Sequence, residues 1–415
     1  MAKGEVMTAL AGTAQPYFTI SDPKIKKLLN SILWPLAIGL MLYRVFIEAV
    51  NGHVTNDFVP VYDALRKFIE HAPVYTDNYS FTNPHYLYSP SASLLLSPFA
   101  LFNNFTLERW LFIGFNAVCI VIASYLLIRL LGYRLASPLL PAVLLASFLT
   151  EGVTNTLVFS NINGFIYLCE VAFLLLLWRE KYWAAGIPLG FSIAIKPMLA
   201  PLLLIPLLVK RLQPFVAALA IPLAFNLIAW PLSVDAIDFI KRTTPYLGAV
   251  RDYYNNALAG WLAYWGLPDG FIWFVRILVI ALGLATIALL QPYRQKDRKL
   301  WLLTVSGVIL LIAFLGGSLG QRYYSIMLIP LVATILLKGS MIRPWPAWVA
   351  VYLILDGTRW YSNRWYIYGR WIEYSRATIG WLLLLAVIFF VILWRTLVAK
   401  RLNDHTFPTD KKAYL

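Results

Sequence analysis

The segment 376-RATIGWLLLLAVIFFVILWR-395 decides the class of fold, because no charged residue lies between its two terminal arginines. A helix that crosses a bilayer needs roughly 20 mainly apolar residues, so this segment is long enough to span a membrane. The whole chain of 415 residues has the same character, with 60% hydrophobic and 13% charged residues. Soluble domains average about 45–50% apolar and about 25% charged residues. The composition therefore excludes a soluble enzyme, a coiled coil and a disordered regulator, and it predicts an all-α polytopic membrane protein.

Similar apolar runs recur along the chain and predict about 12 transmembrane helices. The predicted spans are 32–50, 107–131, 136–150, 158–178, 183–196, 197–209, 213–231, 270–291, 300–317, 323–338, 345–356 and 376–395. They form one transmembrane domain, 32–398, between a cytoplasmic N-terminal segment, 1–31, and a cytoplasmic tail, 399–415.

The distribution of basic residues predicts the orientation of these spans. Lys24, Lys26 and Lys27 precede the first span, and basic residues recur in every second loop, which is the pattern of cytoplasmic loops. The net charge of +15 is therefore explained by topology, and it does not indicate a nucleic-acid partner. The segment 51–106 becomes the first periplasmic loop with juxtamembrane helices, and 90–102, which is short and broken by proline, becomes an interfacial or re-entrant helix.

The first outer loop contains the leading catalytic candidate. In 55-TNDFVPVYDALRKFIEH-71, the spacing of Val61, Leu65 and Phe68 predicts an amphipathic helix on the outer surface. Asp57 precedes this helix, and it either faces the cavity between the spans or caps the helix. Asp63 is interpreted as a solvated surface charge.

Polar residues at the outer ends of other spans are candidates for ligand binding. Asn161 and Asn163 open a span and suit a hydroxyl-rich ligand, although helix capping explains them equally well. Lys196 lies between two short spans, where it either binds a phosphate or extends to the outer surface. His85 and Tyr86, in 82-TNPHYLYSP-90, fit an interfacial turn.

Two further outer clusters combine arginine with tyrosine, 251-RDYYNN-256 and 321-QRYYS-325. An arginine binds phosphate bidentately, and aromatic faces pack on sugar rings or prenyl chains. Arg251 can also pair with the neighbouring Asp252. No nucleotide-binding motif and no metal-ligand spacing is present, so the sequence predicts neither a cofactor nor a metal site. One outer carboxylate, several cations and many aromatic residues suit a reaction between a lipid-phosphate-linked donor and a polar acceptor.

Several motifs, in order along the chain, resemble the branching arabinofuranosyltransferases of mycobacteria and corynebacteria, a family that uses polyprenol-phosphate sugars. The motifs are HVTNDFVPVYDAL (53–65), NPHYLYSP (83–90), TNTLVFSNING (154–164), IKPMLAPLLLIPLL (195–208), RDYYNNALAG (251–260), QRYYSIMLIP (321–330) and RPWPAWVAVY (343–352). The resemblance implies a GT-C fold and a periplasm-facing active site in the plasma membrane. It also implies decaprenyl-phosphoryl-arabinofuranose as donor and arabinan as acceptor, joined in alpha-1,3 linkage in arabinogalactan and lipoarabinomannan.

The resemblance also implies roles for individual residues. An aspartate at the end of the first span is the base in the wider family, and Asp57 occupies that place. Related mannose enzymes carry a functional histidine near the start of a late span, where this chain has Arg322. The predicted donor-phosphate ligands are Lys196, Arg251 and Arg322. The predicted substrate-binding residues are His85, Tyr86, Asn161, Asn163, Tyr253, Tyr254, Gln321 and Tyr323.

The reaction that we expect is a single inverting displacement with Asp57 as general base and no required metal. Its partners are the lipid donor, the arabinan acceptor and membrane lipid. The alternatives are a polyprenol-phosphate-mannose mannosyltransferase of the same fold and a transporter of lipid-linked sugar. A transporter usually has broken helices in two related halves, whereas this sequence shows one break, at Pro197.

Overall fold

The computed structural model describes residues 21–52, 56–81 and 83–403, and this part of the chain contains helices and no strand. The predictions for residues 1–20 and for the tail beyond 403 fall outside it. The main helices are α1 Pro23–Asn51, α2 Phe58–Ile69, α3 Pro90–Leu96, α4 Phe105–Leu131, α5 Leu139–Leu149, α6 Glu151–Val158, α7 Asn163–Trp178, α8 Tyr182–Ile195, α9 Pro197–Leu208, α10 Leu212–Ala229, α11 Leu258–Tyr264, α12 Asp269–Leu290, α13 Arg298–Gly316, α14 Arg322–Leu336, α15 Trp345–Leu355 and α16 Tyr366–Arg401. Shorter helical turns lie at Ser97–Ala100, Ala236–Asp238, Phe239–Thr243, Thr244–Gly248 and Tyr293–Lys296.

Each predicted span coincides with a helix, so the prediction of an all-helical polytopic membrane protein is confirmed. Six helices of the described part are long and apolar enough to cross a bilayer: α1, α4, α10, α12, α13 and α16. A bent pair, α5 with α6, makes a seventh if it is one span. The helices α7, α8, α9, α14 and α15 are apolar but shorter. The number of 12 spans therefore stays a prediction.

Some helix ends differ from the predicted span ends. Helix α1 begins at Pro23 and not at 32, because the Asp22 side chain accepts a hydrogen bond from Lys24 N at 2.8 Å and caps the helix before the apolar run begins. Helix α16 begins at Tyr366 and not at 376, and it extends over 36 residues. Helix α3 has 7 residues and is too short to cross a membrane, in agreement with the prediction that 90–102 is interfacial or re-entrant and not a span.

Helix α13 lies at the centre of the bundle, with 83% of its apolar window buried. It packs against α7, α9, α12 and α16. Around it, α7 packs against α4 and α8, and α8 packs against α10. The polar ends of the short helices α7, α8 and α9 are therefore fixed by a rigid apolar core.

Helix α6 is bent by 63° relative to α5 and packs against the start of α14. The break occurs at Thr150, which is extended and whose hydroxyl accepts a hydrogen bond from Val153 N at 3.3 Å. Gly152 lets α6 approach α14 closely, because a Cβ atom there would lie 3.0 Å from Ile326 N. The predicted span ends at 150, where the apolar run stops, but the polar segment 150-TEGVTNTLV-158 lies between two predicted spans and is not predicted to form a helix.

Candidate active site

Asp57 lies at the first position before α2, but its side chain does not cap that helix. The neighbouring Asn56 makes the capping bond, since its Oδ1 accepts from Phe58 N at 2.8 Å. Asp57 N donates to Phe159 O at 2.8 Å, which joins the start of α2 to the end of α6. The carboxylate faces α14, where the Tyr323 hydroxyl donates to Asp57 Oδ2 at 3.4 Å. Of the two roles predicted for Asp57, the structure favours the one that faces the bundle.

The surroundings of Asp57 raise the pKa of its carboxyl group toward neutral pH. Burial raises the pKa of the Asp57 carboxyl from 3.8 to about 6. The charge of Lys196, the amide of Asn161 and the hydroxyl of Tyr323 act in the opposite direction and favour the carboxylate. A carboxylate with such a pKa can accept a proton from a substrate hydroxyl near neutral pH.

Lys196 lies at the break between α8 and α9, with an extended backbone. Its Nζ donates to Asn163 Oδ1 at 3.0 Å and lies 5.0 Å and 5.9 Å from the ring centroids of Tyr324 and Tyr323. The ammonium group thus points into the bundle and does not extend to the outer surface. This direction agrees with the predicted role as a phosphate ligand and argues against the alternative.

The side chains of Asn161 and Asn163 have contacts that fit both predicted roles, helix capping and ligand binding. Asn161 Oδ1 accepts from Asn163 N at 3.1 Å, as a capping side chain does at the start of α7. The Nδ2 atoms of both residues are buried; Asn163 Nδ2 has no hydrogen-bond partner in the described part of the chain, whereas Asn161 Nδ2 faces the Asp57 carboxylate without a hydrogen bond of regular geometry. A buried donor without a partner costs about 1–3 kcal/mol, so Asn163 Nδ2 in particular is a candidate donor to a ligand oxygen. We call Asp57, Lys196, Asn161 and Asn163 the Asp57 cluster.

Arg251 lies between aromatic rings. Its Nη1 donates to the Tyr246 hydroxyl at 3.1 Å, and its guanidinium lies 5.3 Å and 5.7 Å from the ring centroids of Tyr246 and Tyr253. The ion pairs found among the described residues include none between Arg251 and Asp252. Asn255 holds this loop, because its Nδ2 donates to Arg251 O at 2.9 Å and its Oδ1 accepts from Gly320 N at 2.9 Å.

Arg322, the third predicted phosphate ligand, is already bonded to acidic side chains. Its Nη1 donates to Glu373 Oε1 at 2.9 Å, its Nη2 donates to Asp356 O, and its Nε lies 4.0 Å from Glu151 Oε2. A second arginine, Arg376, bonds Glu373 Oε2 at 3.0 Å and Asp356 Oδ2 at 2.8 Å. We call these five residues the Arg322 network. Arg322 therefore differs from the other two predicted phosphate ligands, Lys196 and Arg251, which form none of the salt bridges of the described residues.

The remaining predicted residues lie around these two groups. Gln321 Nε2 donates to Tyr254 O at 2.7 Å, and the Tyr254 side chain is 77% exposed. His85 Nε2 lies 3.0 Å from Phe81 O, and the His85 ring stands edge-on to the ring of Tyr246.

Tyr86 is deeply buried, with its hydroxyl 2.8 Å from Ser93 Oγ. Its hydroxyl is therefore used within the protein, and the geometry does not support a substrate contact.

Sequence reasoning missed several residues of the site. Tyr324 lies under the Lys196 ammonium group, Tyr246 contacts Arg251, and Glu373 binds Arg322. Tyr324 could have been found, because it adjoins Tyr323 in the motif 321-QRYYS-325. The other two are recognised only from contacts between distant segments.

The described residues contain no group of three or more His, Cys, Asp or Glu residues that could hold a metal ion. The prediction that no cofactor is needed is tested by nothing here and stays a prediction.

The fold and the site define a polytopic membrane protein with a buried aspartate, an inward-facing lysine and buried asparagine amides at one end of its helices. Residues 86–316 match the model of glycosyltransferase family 87, and the chain belongs to that family. It is therefore a membrane-bound glycosyltransferase.

The chain is also similar to curated enzymes over nearly its full length. It is 41% identical over 404 residues to the alpha-(1->3)-arabinofuranosyltransferase of Mycolicibacterium smegmatis, covering 96% of this chain and 93% of the relative. It is 43% identical over 385 residues to the enzyme of the same name from Mycobacterium tuberculosis, covering 92% and 89%. The Corynebacterium glutamicum enzyme of that name is 43% identical over 368 residues, covering 88% of each chain. These relatives form the group called AftC, and the resemblance drawn from the sequence is confirmed. No solved structure matches the chain.

Proposed function

We propose that this chain is an arabinofuranosyltransferase that moves D-arabinofuranose from decaprenyl-phosphoryl-arabinofuranose to an arabinan chain in alpha-1,3 linkage. Such a reaction branches the arabinan of arabinogalactan and lipoarabinomannan. The relatives' shared name supports the sugar and the linkage. The observation that carries the chemistry is the buried Asp57 carboxylate, which faces the inward-pointing lysine and the buried amides of the Asp57 cluster.

In the proposed step, an arabinan hydroxyl oxygen attacks the anomeric carbon of the donor, and the bond from that carbon to the phosphate oxygen breaks. The hydroxyl proton moves to Asp57, and the electron pair of the broken bond leaves with polyprenyl phosphate. A single displacement of this kind inverts the configuration of the anomeric carbon. Asp57 later releases its proton to water.

The leaving phosphate gains negative charge, and fixed cations stabilise it. Lys196 is the first of these in our proposal, because its Nζ donates to a neutral amide oxygen, lies over aromatic rings and forms none of the salt bridges of the described residues. Arg251 is the second, because its guanidinium has aromatic contacts and no carboxylate among the ion pairs of the described residues. The buried Nδ2 atoms of Asn161 and Asn163 then donate to sugar hydroxyls or phosphate oxygens. This arrangement does not require a metal ion.

The proposal places the enzyme in the plasma membrane with the Asp57 cluster on the periplasmic side. A lipid-linked donor lies in the membrane, so its sugar reaches a site at the ends of the helices without an aqueous nucleotide sugar. The basic loops at the opposite ends of the spans support this orientation.

Donor choice tests the proposal. The purified protein in lipid nanodiscs is supplied with a linear arabinan oligosaccharide and radiolabelled decaprenyl-phosphoryl-arabinofuranose, or with the polyprenyl-phosphoryl-mannose analogue. We expect transfer of arabinose only, with a new alpha-1,3 linkage in the product. Transfer of mannose would instead support the mannosyltransferase alternative. Movement of the lipid donor between leaflets without any transfer would support a transporter.

A further inference from the structure

We propose that Arg322 is a positioning residue, which fixes the start of α14 so that the Tyr323 hydroxyl stays bonded to Asp57. This inference rests on the proposed function, since it takes Asp57 as the base. It differs from the predicted role of Arg322, because a positioning residue acts through Tyr323 and does not touch the donor phosphate.

The first support is the way in which the Arg322 network is bonded. Glu373 receives two arginines, Arg322 at Oε1 and Arg376 at Oε2, at 2.9 Å and 3.0 Å. Arg376 is 1% exposed, so loss of a partner would leave a buried charge uncompensated. To bind a phosphate, Arg322 would have to give up Glu373 or Asp356. The network is therefore built to hold the backbone of α14 in place.

The second support is that two helices connect the Arg322 network to the Asp57 cluster. Glu151 begins α6, and its Oε2 lies 4.0 Å from Arg322 Nε. At the other end of α6, Phe159 O accepts from Asp57 N at 2.8 Å. Helix α14 begins with Arg322, and its second residue is Tyr323. Helices α6 and α14 are also packed directly against each other at Gly152, where a Cβ atom would lie 3.0 Å from Ile326 N.

The third support is the length of the bond that the network would maintain. The Tyr323 hydroxyl lies 3.4 Å from Asp57 Oδ2, which is the outer limit of a useful hydrogen bond. A shift of a few tenths of an ångström at the start of α14 would break it. Sites of this kind depend on supporting residues that hold the reacting groups in a narrow range of positions.

Loss of this bond has a defined electrostatic result. The groups that face Asp57 are Lys196 at the break before α9, Asn161 before α7, and the hydroxyls of Tyr323 and Tyr324 on α14 and of Tyr88 before α3. Of these, the Tyr323 hydroxyl favours the carboxylate by donating to it. When that donor moves away, the pKa of Asp57 rises. The acid limb of kcat/KM then moves to higher pH.

The test compares Glu373→Gln, Arg322→Lys and Tyr323→Phe by pH profile and by donor KM. We expect each to lower kcat roughly three- to tenfold, the effect of one lost hydrogen bond, and to shift the acid limb upward with the donor KM near that of the parent. Glu373→Gln combined with Tyr323→Phe should equal Tyr323→Phe alone, because both remove the same contact. The matched control is Glu70→Gln, whose carboxylate pairs with Arg66 on the surface of α2 and which should change neither measurement.

A higher donor KM with an unchanged acid limb in Arg322→Lys and Glu373→Gln would overturn the proposal. Arg322 would then be a ligand of the donor phosphate. Additive effects in the double variant would also contradict it. Where Glu373→Gln does not fold, Arg322→Lys retains the charge and gives the same comparison. The titration of Asp57, measured by infrared difference spectroscopy against Asp57→Asn without substrate, separates this inference from the proposed function. An upward shift there supports positioning even if arabinose is not the sugar transferred.

Discussion

The Asp57 cluster and the Arg322 network are both groups of polar side chains at one end of an apolar helix bundle, but their atoms are paired to different degrees. In the network, two arginines bond to Glu373 and Asp356, and the two buried atoms without a hydrogen bond, Arg322 Nε and Glu151 Oε2, face each other as opposite charges at 4.0 Å. In the cluster, Lys196 bonds a neutral amide, Asn163 Nδ2 has no partner among the described residues, and Asn161 Nδ2 faces Asp57 without a hydrogen bond of regular geometry. Buried polar groups are normally satisfied, so unpaired donors indicate where a ligand binds and paired charges indicate a scaffold. We therefore expect substitutions in the Asp57 cluster to lower turnover more than substitutions in the Arg322 network.

The largest expected effect follows from Asp57→Asn. Asparagine keeps the size of the side chain but cannot accept the proton, so turnover should fall by roughly 10²–10⁴-fold. Donor binding should persist, because the change removes a negative charge near a phosphate. The matched control is Asp63→Asn, on the exposed side of the same helix, which should transfer arabinose at nearly the parent rate. Near-parent turnover of Asp57→Asn in a radiolabel assay would place the base elsewhere, with Asp77 and His85 as the next candidates.

The comparison also shows which parts of the molecule the sequence could predict. Each apolar run that was predicted as a span is a helix, and the spacing of Val61, Leu65 and Phe68 predicted α2, where all three are buried. Glu373 lies 51 residues from Arg322, so nothing in the sequence indicates that the two are paired. The sequence therefore does not indicate whether an arginine or lysine outside the spans forms an ion pair with a distant carboxylate.

Helix α6 was missed for a different reason. The polar residues that follow Thr150 mark the end of an apolar run and not the start of a helix, and the close contact of Gly152 with Ile326 is a tertiary one. Lys196 was placed correctly at a break between two short helices because Pro197 follows it. Its inward direction depends on Asn163 and on two tyrosines from another helix, which only the fold brings together.

The second prediction concerns Lys196→Met, which keeps much of the side-chain volume and removes the charge. If Lys196 holds the donor phosphate, the loss of a charge-assisted bond should weaken donor use by about ten- to a hundredfold, or about 1.5–3 kcal/mol. The acceptor KM should change much less. The control is Lys67→Met, since Lys67 lies on α2 and donates to Thr76 Oγ1 at 2.9 Å, away from the cluster. Equal donor kinetics in the two variants would remove the proposed phosphate contact.

The third prediction compares an asparagine of the cluster with a paired one. Asn161→Ala removes a buried Nδ2 that makes no hydrogen bond of regular geometry in the described residues and faces the Asp57 carboxylate, so turnover should fall by about fivefold, which corresponds to one hydrogen bond in the site. The control, Asn226→Ala, removes an amide that accepts from Ser91 N and donates to Pro222 O, so it should lower the melting temperature with little effect on turnover. Steady-state kinetics and thermal melting of both variants measure the contrast. The opposite pattern would mean that the Asn161 amide is structural.

The smallest expected effect is a shift of the pH profile. Asp57 must be deprotonated to act as base, and burial raises its pKa to about 6, so kcat/KM of the parent should fall as the pH is lowered through about 6. Lys196→Gln removes a positive charge that favours the carboxylate; the pKa of Asp57 then rises, and the acid limb moves to higher pH. Lys67→Gln, the matched control, should leave the limb in place. If the acid limb of the parent enzyme instead lies near pH 3.8, the ordinary pKa of an aspartate, water reaches Asp57. Burial is the one cause that raises the pKa of Asp57 from 3.8 to about 6. The contrast between the cluster and the network would in that case lose its electrostatic basis, since donors that water can reach need no ligand.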